Sequence, residues 1–308
     1  MGNRNNSLWL MTGGGITLCL VLLICGLSVK AAENEGWEYS IFGSGAKLQN
    51  TITLPGEQIE ELEISYSSQN VYFYLSNSDD IVIEEYLRSS AESAKAKVSL
   101  TGGRAVVTGG NKPHVSFNFF ISGEERIQVY LPEKLFQRLS VAVRSGNVRA
   151  QEGFRLQCKE LSLEAASGNI RWEGIQAEEA NVEVSSGNIT LVRAKGRLNA
   201  KASSGNIIIE HMEGSGAVEA KSGNIKVSAD AITGDLSMEA SSGNVKLELP
   251  ADLQFQFSAE TNSGNIRTDF DEFLSYNEKG NYAHGSVGES PEIQIEMRAK
   301  SGNVRAVQ

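Results

Sequence analysis

Apolar and polar residues alternate along most of the chain beyond about residue 50, and the alternation is punctuated by Ser-Gly-Asn followed by Ile or Val. The Asn falls at Asn147, Asn169, Asn188, Asn206, Asn224, Asn244, Asn265 and Asn303, at intervals of 18 to 22 residues until a last interval of 38. A period of two is the signature of β-strands. Counted from each Asn, apolar residues stand one and three positions on, as in Ile170 with Trp172 or Val245 with Leu247. Others stand four, six and eight positions back, as in Val143, Val141 and Leu139, and those nearest the tripeptide shrink toward Ala. A short fixed period predicts a solenoid. Each coil then reads as strand, tight Ser-Gly corner, strand, and a looser return holding a glycine such as Gly174, Gly196, Gly214 or Gly234.

In such a stack the eight corner asparagines form a ladder, amide on amide, with a rise of about 4.8 Å per coil. The ladder is a structural device. The interval of 38 spans close to two periods, and His284-Gly285-Ser286-Val287 stands as the missing corner with Ser in place of Asn. Leu54-Pro55, Leu131-Pro132 and Leu249-Pro250 share one frame, Pro standing fifteen residues before Asn70, Asn147 and Asn265. Ser68-Gln69-Asn70-Val71 is therefore a degenerate corner, and residues 51–138 form irregular coils that cap the regular solenoid of 139–308. The last coil, from Ser301, ends the chain, so its open edge needs protection by Arg298, Lys300 and Arg305 or a strand from a partner.

Leu8 to Val29 is free of charge over 22 residues, long enough at about 1.5 Å per residue to cross a bilayer core. Arg4 precedes it and Glu33 and Glu35 follow, which orients residues 1–7 to the cytoplasm and everything after the 30–50 linker outside. This predicts a single-pass signal-anchor in the cell membrane, with a cleaved signal peptide ending near Ala31 as the alternative. Only Cys158 lies beyond that segment, so no internal disulfide can staple the exported part. The formal charge of −10 argues against nucleic acid as a partner.

One N-terminal membrane segment, Leu-Pro-headed strands and serial Ser-Gly-Asn-Ile/Val corners together resemble the bacterial "putative adhesin" family of β-strand-repeat surface proteins, a family of unassigned function. The resemblance spans about Ile52 to Gln308. It implies an all-β, right-handed, parallel β-helix-like solenoid on the cell surface, and it brings no catalytic residues.

The chain shows little chemistry. Its three histidines, His114, His211 and His284, have no second ligand at metal-binding spacing, and no nucleophile elbow, phosphate loop or CxxC motif occurs. Neither a metal nor a cofactor is expected, and the acidic clusters read as solvated carboxylates at turns. One pattern stands out two residues after each Asn, where Arg149, Arg171, Lys226, Lys246, Arg267 and Arg305 are basic and only Thr190 and Ile208 are not. Five residues before the Asn stand Glu164, Glu183, Glu219, Glu239 and Glu260, interrupted by Ala142, Lys201 and Arg298. Stacking in register turns these into one cationic and one anionic stripe. The expected function is a non-catalytic membrane-anchored surface module for adhesion or envelope interaction, its partner a cell-wall polyanion, a glycan or an envelope protein. An accessory or sensing protein of an envelope-stress system is the alternative, followed by a wall-glycan enzyme.

Overall fold

The pleat turns alternate side chains to opposite faces, so the apolar positions of each coil point to one interior. Ile207 and Ile209 are fully buried, while Ile208 between them is partly exposed. The computed structural model describes residues 45–111 and 124–308. Their 21 strands join in one continuous sheet, all-β, whose long strands stack in parallel as the coils of a solenoid. Among the described residues no helix is long and apolar enough to cross a membrane. The Leu8–Val29 segment, most of the 30–50 linker and His114 lie outside the described residues.

The return legs are strands as well, which differs from the looser return expected. Ile189–Ser204 pairs with Ile207–Ser222 without a register shift, because both coils carry the same 18-residue interval. The next strand, Ile225–Ser242, belongs to an interval of 20 residues, and its ladder shifts between Ile209 and Met212, between Met212 and Glu213, and between Gly214 and Gly216. Bulges absorb the extra residues on the return leg. The corner and its flanking strands therefore keep a common register from coil to coil.

Coil order is not sequence order at either end. The coil of Asn303, formed by Ile293–Ser301 and Val304–Val307, lies between the coils of Asn244 and Asn265. It is thus interior to the stack, a correction to the expectation of an open terminal edge. The inserted coil buries Ile295, Met297, Ala299, Val304 and Ala306 in the shared core, and charge favours the same order. In sequence order Glu239 would face Glu260, and like charges directly opposite are destabilising. Insertion sets Arg298 between them, in register with both, with its Nε 3.7 Å from Glu260, while Lys300 Nζ lies 3.1 Å from Glu239. The same rule operates at the other end, where Glu61–Tyr66 runs between Arg104–Thr108 and Leu135–Ser145. Glu61 is 4.0 Å from Arg104 and 3.7 Å from Arg138, and Arg138 reaches Glu160 at 2.6 Å.

The expected corner at His284–Val287 is not a corner. Tyr282–Val287 is a strand antiparallel to Phe255–Ser263, and Leu274–Tyr276 pairs antiparallel with it as the outermost strand. The 38-residue interval therefore holds a hairpin and the connection into the inserted coil rather than two coils. At the opposite end, Lys47–Leu54 and Lys97–Thr101 are the outer strands. A fully buried carboxylate joins the segments there. Glu85 accepts hydrogen bonds from Tyr66 Oη at 3.0 Å, Asn50 Nδ2 at 2.7 Å and the Ala96 amide at 2.8 Å, so the buried charge is matched by three donors. Burial, together with Glu85, drives the Tyr66 hydroxyl well above its ordinary pKa.

Candidate functional site

The corners come first, because they set where every outward side chain stands. The amide of Gly205 donates to the Ser222 carbonyl at 2.9 Å, and that of Ile207 to the Asn224 carbonyl at 2.9 Å. Between these two bonds the backbone N–H of each Asn has no carbonyl partner. The neighbouring asparagine supplies it. Asn188 Oδ1 accepts from the Asn206 amide at 2.9 Å, and Asn206 Oδ1 accepts from the Asn224 amide at 2.8 Å and from Asn224 Nδ2 at 3.2 Å. The spatial ladder runs Asn70, Asn147, Asn169, Asn188, Asn206, Asn224, Asn244, Asn303, Asn265, so Asn70 joins the eight repeat asparagines and Asn303 precedes Asn265. Replacing Asn206 by Ala is expected to cost about 1 kcal/mol, because this rung is exposed and water can partly replace the lost bonds. Chemical denaturation of the variant measures it, and a cost near zero would show that the backbone ladder alone holds the corner.

The basic positions stack into one column two residues beyond the corner. In spatial order it reads Tyr72, Arg149, Arg171, Thr190, Ile208, Lys226, Lys246, Arg305, Arg267, each in register with the next. The inserted coil places Arg305 between Lys246 and Arg267. Four consecutive coils therefore carry a cation at about 4.8 Å spacing. Lys246 lies 2.6 Å from Glu248 and Lys226 lies 3.9 Å from the same carboxylate. The hydrogen bond from Lys246 holds the Glu248 carboxyl below its ordinary pKa, with Lys226 acting in the same direction. Arg149, Arg171, Arg267 and Arg305 are exposed and form no ion pair among the described residues.

The acidic column behaves differently. Its spatial order is Glu164, Glu183, Lys201, Glu219, Glu239, Arg298, Glu260, so no more than two glutamates stand together. Lys201 pairs with Glu219 at 3.4 Å. Coil order thus breaks up the anionic column, while the cationic one keeps four consecutive basic coils in either order.

A second feature was not legible in the sequence. On the return side Arg155, Gly174, Arg193, Lys195, His211 and Asp230 line a groove. Arg193 and His211, on adjacent coils, are the two non-glycine residues with positive φ among those described, both at 56°, and they follow Gly174 at 74°. His211 Nδ1 is 3.1 Å from Asp230, 19 residues on and one coil away. Lys195 pairs with Glu213 at 3.0 Å, and Arg193 pairs with Glu173. Among the described residues no serine, threonine or cysteine lines the groove beside the His–Asp pair. The His211–Asp230 hydrogen bond, with the Lys195–Glu213 and Arg193–Glu173 ion pairs, closes a bend held at positive φ. Cys158 lies in the core, where burial pushes its thiol up to about 12 and keeps the reactive thiolate scarce at neutral pH. Asp271, from the C-terminal acidic cluster, accepts from Thr268 Oγ1 at 2.7 Å and from Tyr276 Oη, which ties it into the end of the stack.

Comparison with solved structures finds a chain of the same fold. A "putative adhesin" from Bacteroides fragilis is 13% identical, with a TM-score of 0.51, covering 83% of this chain and 96% of its own. A "putative lipid binding protein" from Parabacteroides distasonis is 15% identical, with a TM-score of 0.42 and coverage of 84% and 96%. A "putative cell adhesion protein" from Clostridium sporogenes is 12% identical, with a TM-score of 0.30 and coverage of 84% and 98%. None of the curated proteins matches. The family model described as Toastrack DUF4097 matches residues 59–306, which takes in all nine asparagines of the ladder, and the chain belongs to that family.

Proposed function

We propose that this chain is a non-catalytic, membrane-anchored surface module whose right-handed solenoid presents its basic column to a linear anionic polymer of the cell envelope. The observation that carries the reading is the asymmetry between the two charged columns. Structural economy alone favours interspersed charges, as the acidic column has them. The cationic column instead keeps four consecutive coils basic, with Arg267 and Arg305 outside any ion pair among the described residues. A polymer with repeating negative charge would compensate such a column along its length, gaining from multivalent contact and from counterion release. The anchor at residues 8–29 would hold the module at the membrane, with the solenoid extracytoplasmic. The adhesin name of the structurally similar Bacteroides fragilis protein agrees with a binding rather than a catalytic role.

Replacing Arg149, Arg171, Lys226, Lys246 and Arg267 together by Gln is expected to abolish salt-sensitive binding to isolated cell-wall polyanion. Retention of binding by this variant, or its absence in the parent, would remove the proposal.

A further inference from the structure

Arg155, Gly174, Arg193 and His211 stand one above another at the return bend of four successive coils, held in register by Leu156, Ile175 and Ala194 and by Val192 with Glu210. A Cβ on Gly174 would lie 3.2 Å from the Arg155 Cα, so the glycine rests on that arginine and leaves a gap between its side chain and that of Arg193. Gly174, Arg193 and His211 are all left-handed, at φ of 74°, 56° and 56°. Glycine takes that conformation freely, whereas any other residue is penalised in it. The polar contacts made there recover little, since the side chains of Arg193, His211 and Asp230 are each more than half exposed. Asp230 is irregular as well. Met212 pairs with Ala229 and Glu213 with Ala231, which makes Asp230 the extra residue of a bulge, and its carboxylate is turned onto His211. Irregular backbone of this kind persists where the side chains it carries are needed.

These side chains surround one groove of about 510 Å³, a size that takes a small ligand, floored by the buried Leu156, Ile175 and Ala194. Its charges are sorted by coil. Arg155, Gln157, Gln176 and Arg193 surround the glycine gap with hydrogen-bond donors, and Arg155 is exposed with no ion pair among the described residues. Carboxylates stand at the two ends, Glu133 at one and Glu213 with Asp230 at the other. A polyanion would be repelled at both ends, so the groove does not suit the polymer of the basic column. A ligand carrying both signs meets both. Glu213 stands two coils from Gln176 and the glycine gap, about 10 Å at 4.8 Å per coil, which an extended peptide covers in three or four residues at about 3.4 Å each. We propose that the groove binds a short zwitterionic peptide, its carboxylate between Arg155 and Arg193 at the glycine gap and its ammonium group between Glu213 and Asp230. His211 is a positioning residue that aims the Asp230 carboxylate. The site goes beyond the polyanion reading and does not depend on it, because none of its residues belongs to the basic column.

The test titrates the full chain by calorimetry with tetra-alanine and with the same peptide acetylated at its N-terminus or amidated at its C-terminus. The parent is expected to bind one free peptide, and to bind each capped form at least about tenfold more weakly. Arg155→Gln should lose at least about tenfold for the free peptide and nothing further for the amidated one, which has no carboxylate left to lose. His211→Gly removes a penalised side chain from a left-handed position, so its midpoint of thermal unfolding should stay level or rise while binding of the free peptide falls at least about fivefold. Equal binding of free and capped peptides, or no binding of free tetra-alanine at millimolar concentration, overturns the proposal. A lowered midpoint for His211→Gly with binding unchanged assigns that histidine to the bend alone and overturns its part in the site.

Discussion

Replacing Gly205 by Ala is expected to cost about 4 kcal/mol and to leave little folded protein at body temperature, through strain and forced separation of coils together. A Cβ at this position would lie 1.8 Å from the Gly187 carbonyl oxygen of the neighbouring coil, and the backbone φ is 141°. The obstacle is backbone in the middle of the stack, which cannot swing aside as a side chain would. Gly153 supplies the comparison. Its φ is 82° but nothing lies within 4 Å of an added Cβ, so Gly153→Ala should cost only about 1 kcal/mol, the conformational part alone. Urea denaturation of both variants separates the two causes. Equal costs would mean that close approach of the coils contributes nothing.

Trp172→Ala is expected to lose a similar amount, about 4 kcal/mol, by opening a cavity in a cluster of three aromatic rings. Ala150 stands in register with Phe73, and its small side chain leaves space that the Trp172 ring fills from the next coil. The indole meets Phe73 at 4.8 Å between centroids and Phe154 at 5.6 Å in an edge-on arrangement. Its Nε1 is buried with no acceptor, so the contribution is packing and not hydrogen bonding. Trp172→Phe keeps much of the ring contact and removes that orphan donor, and should lose less than half as much. The midpoint of thermal unfolding for the two variants decides it, and a larger loss for Phe than for Ala would refute the packing account.

Much of this was legible in the chain. Counting from the asparagines gave the register, because alternation is local and the corner repeats in every coil. Ala165, Val182 and Met238 face the interior at the positions that count requires. Coil order was not legible, since the same tripeptide fits beside any other and the period does not rank the neighbours. Arg298, at the end of the acidic series in sequence, looks like an exception there. Set between Glu239 and Glu260, it is the residue that makes their column tolerable. His284-Gly285-Ser286 imitated a corner for a related reason. An added Cβ on Gly285 would lie 2.1 Å from the Phe273 carbonyl oxygen, so glycine is required there by the close crossing of a hairpin and not by a turn. His211 with Asp230 was hidden because coil stacking, not sequence proximity, brings them together.

The candidate site follows the same division. The composition of the basic stripe could be read from residue types, whereas its continuity depends on Tyr282–Val287 being a hairpin strand and not a coil, and its order on the inserted coil, which places Arg305 between Lys246 and Arg267. The most direct test compares two triple variants of equal charge. Lys246, Arg267 and Arg305 are changed to Gln in one, and Lys195, Arg197 and Lys201, two of which are already ion-paired, in the other. Affinity for isolated wall polyanion is measured across a salt series. The first variant should bind at least tenfold more weakly, with its salt dependence reduced by about 2 in log–log slope, and the second should match the parent. Equal losses in the two would contradict a specific stripe and leave only the general charge of the surface.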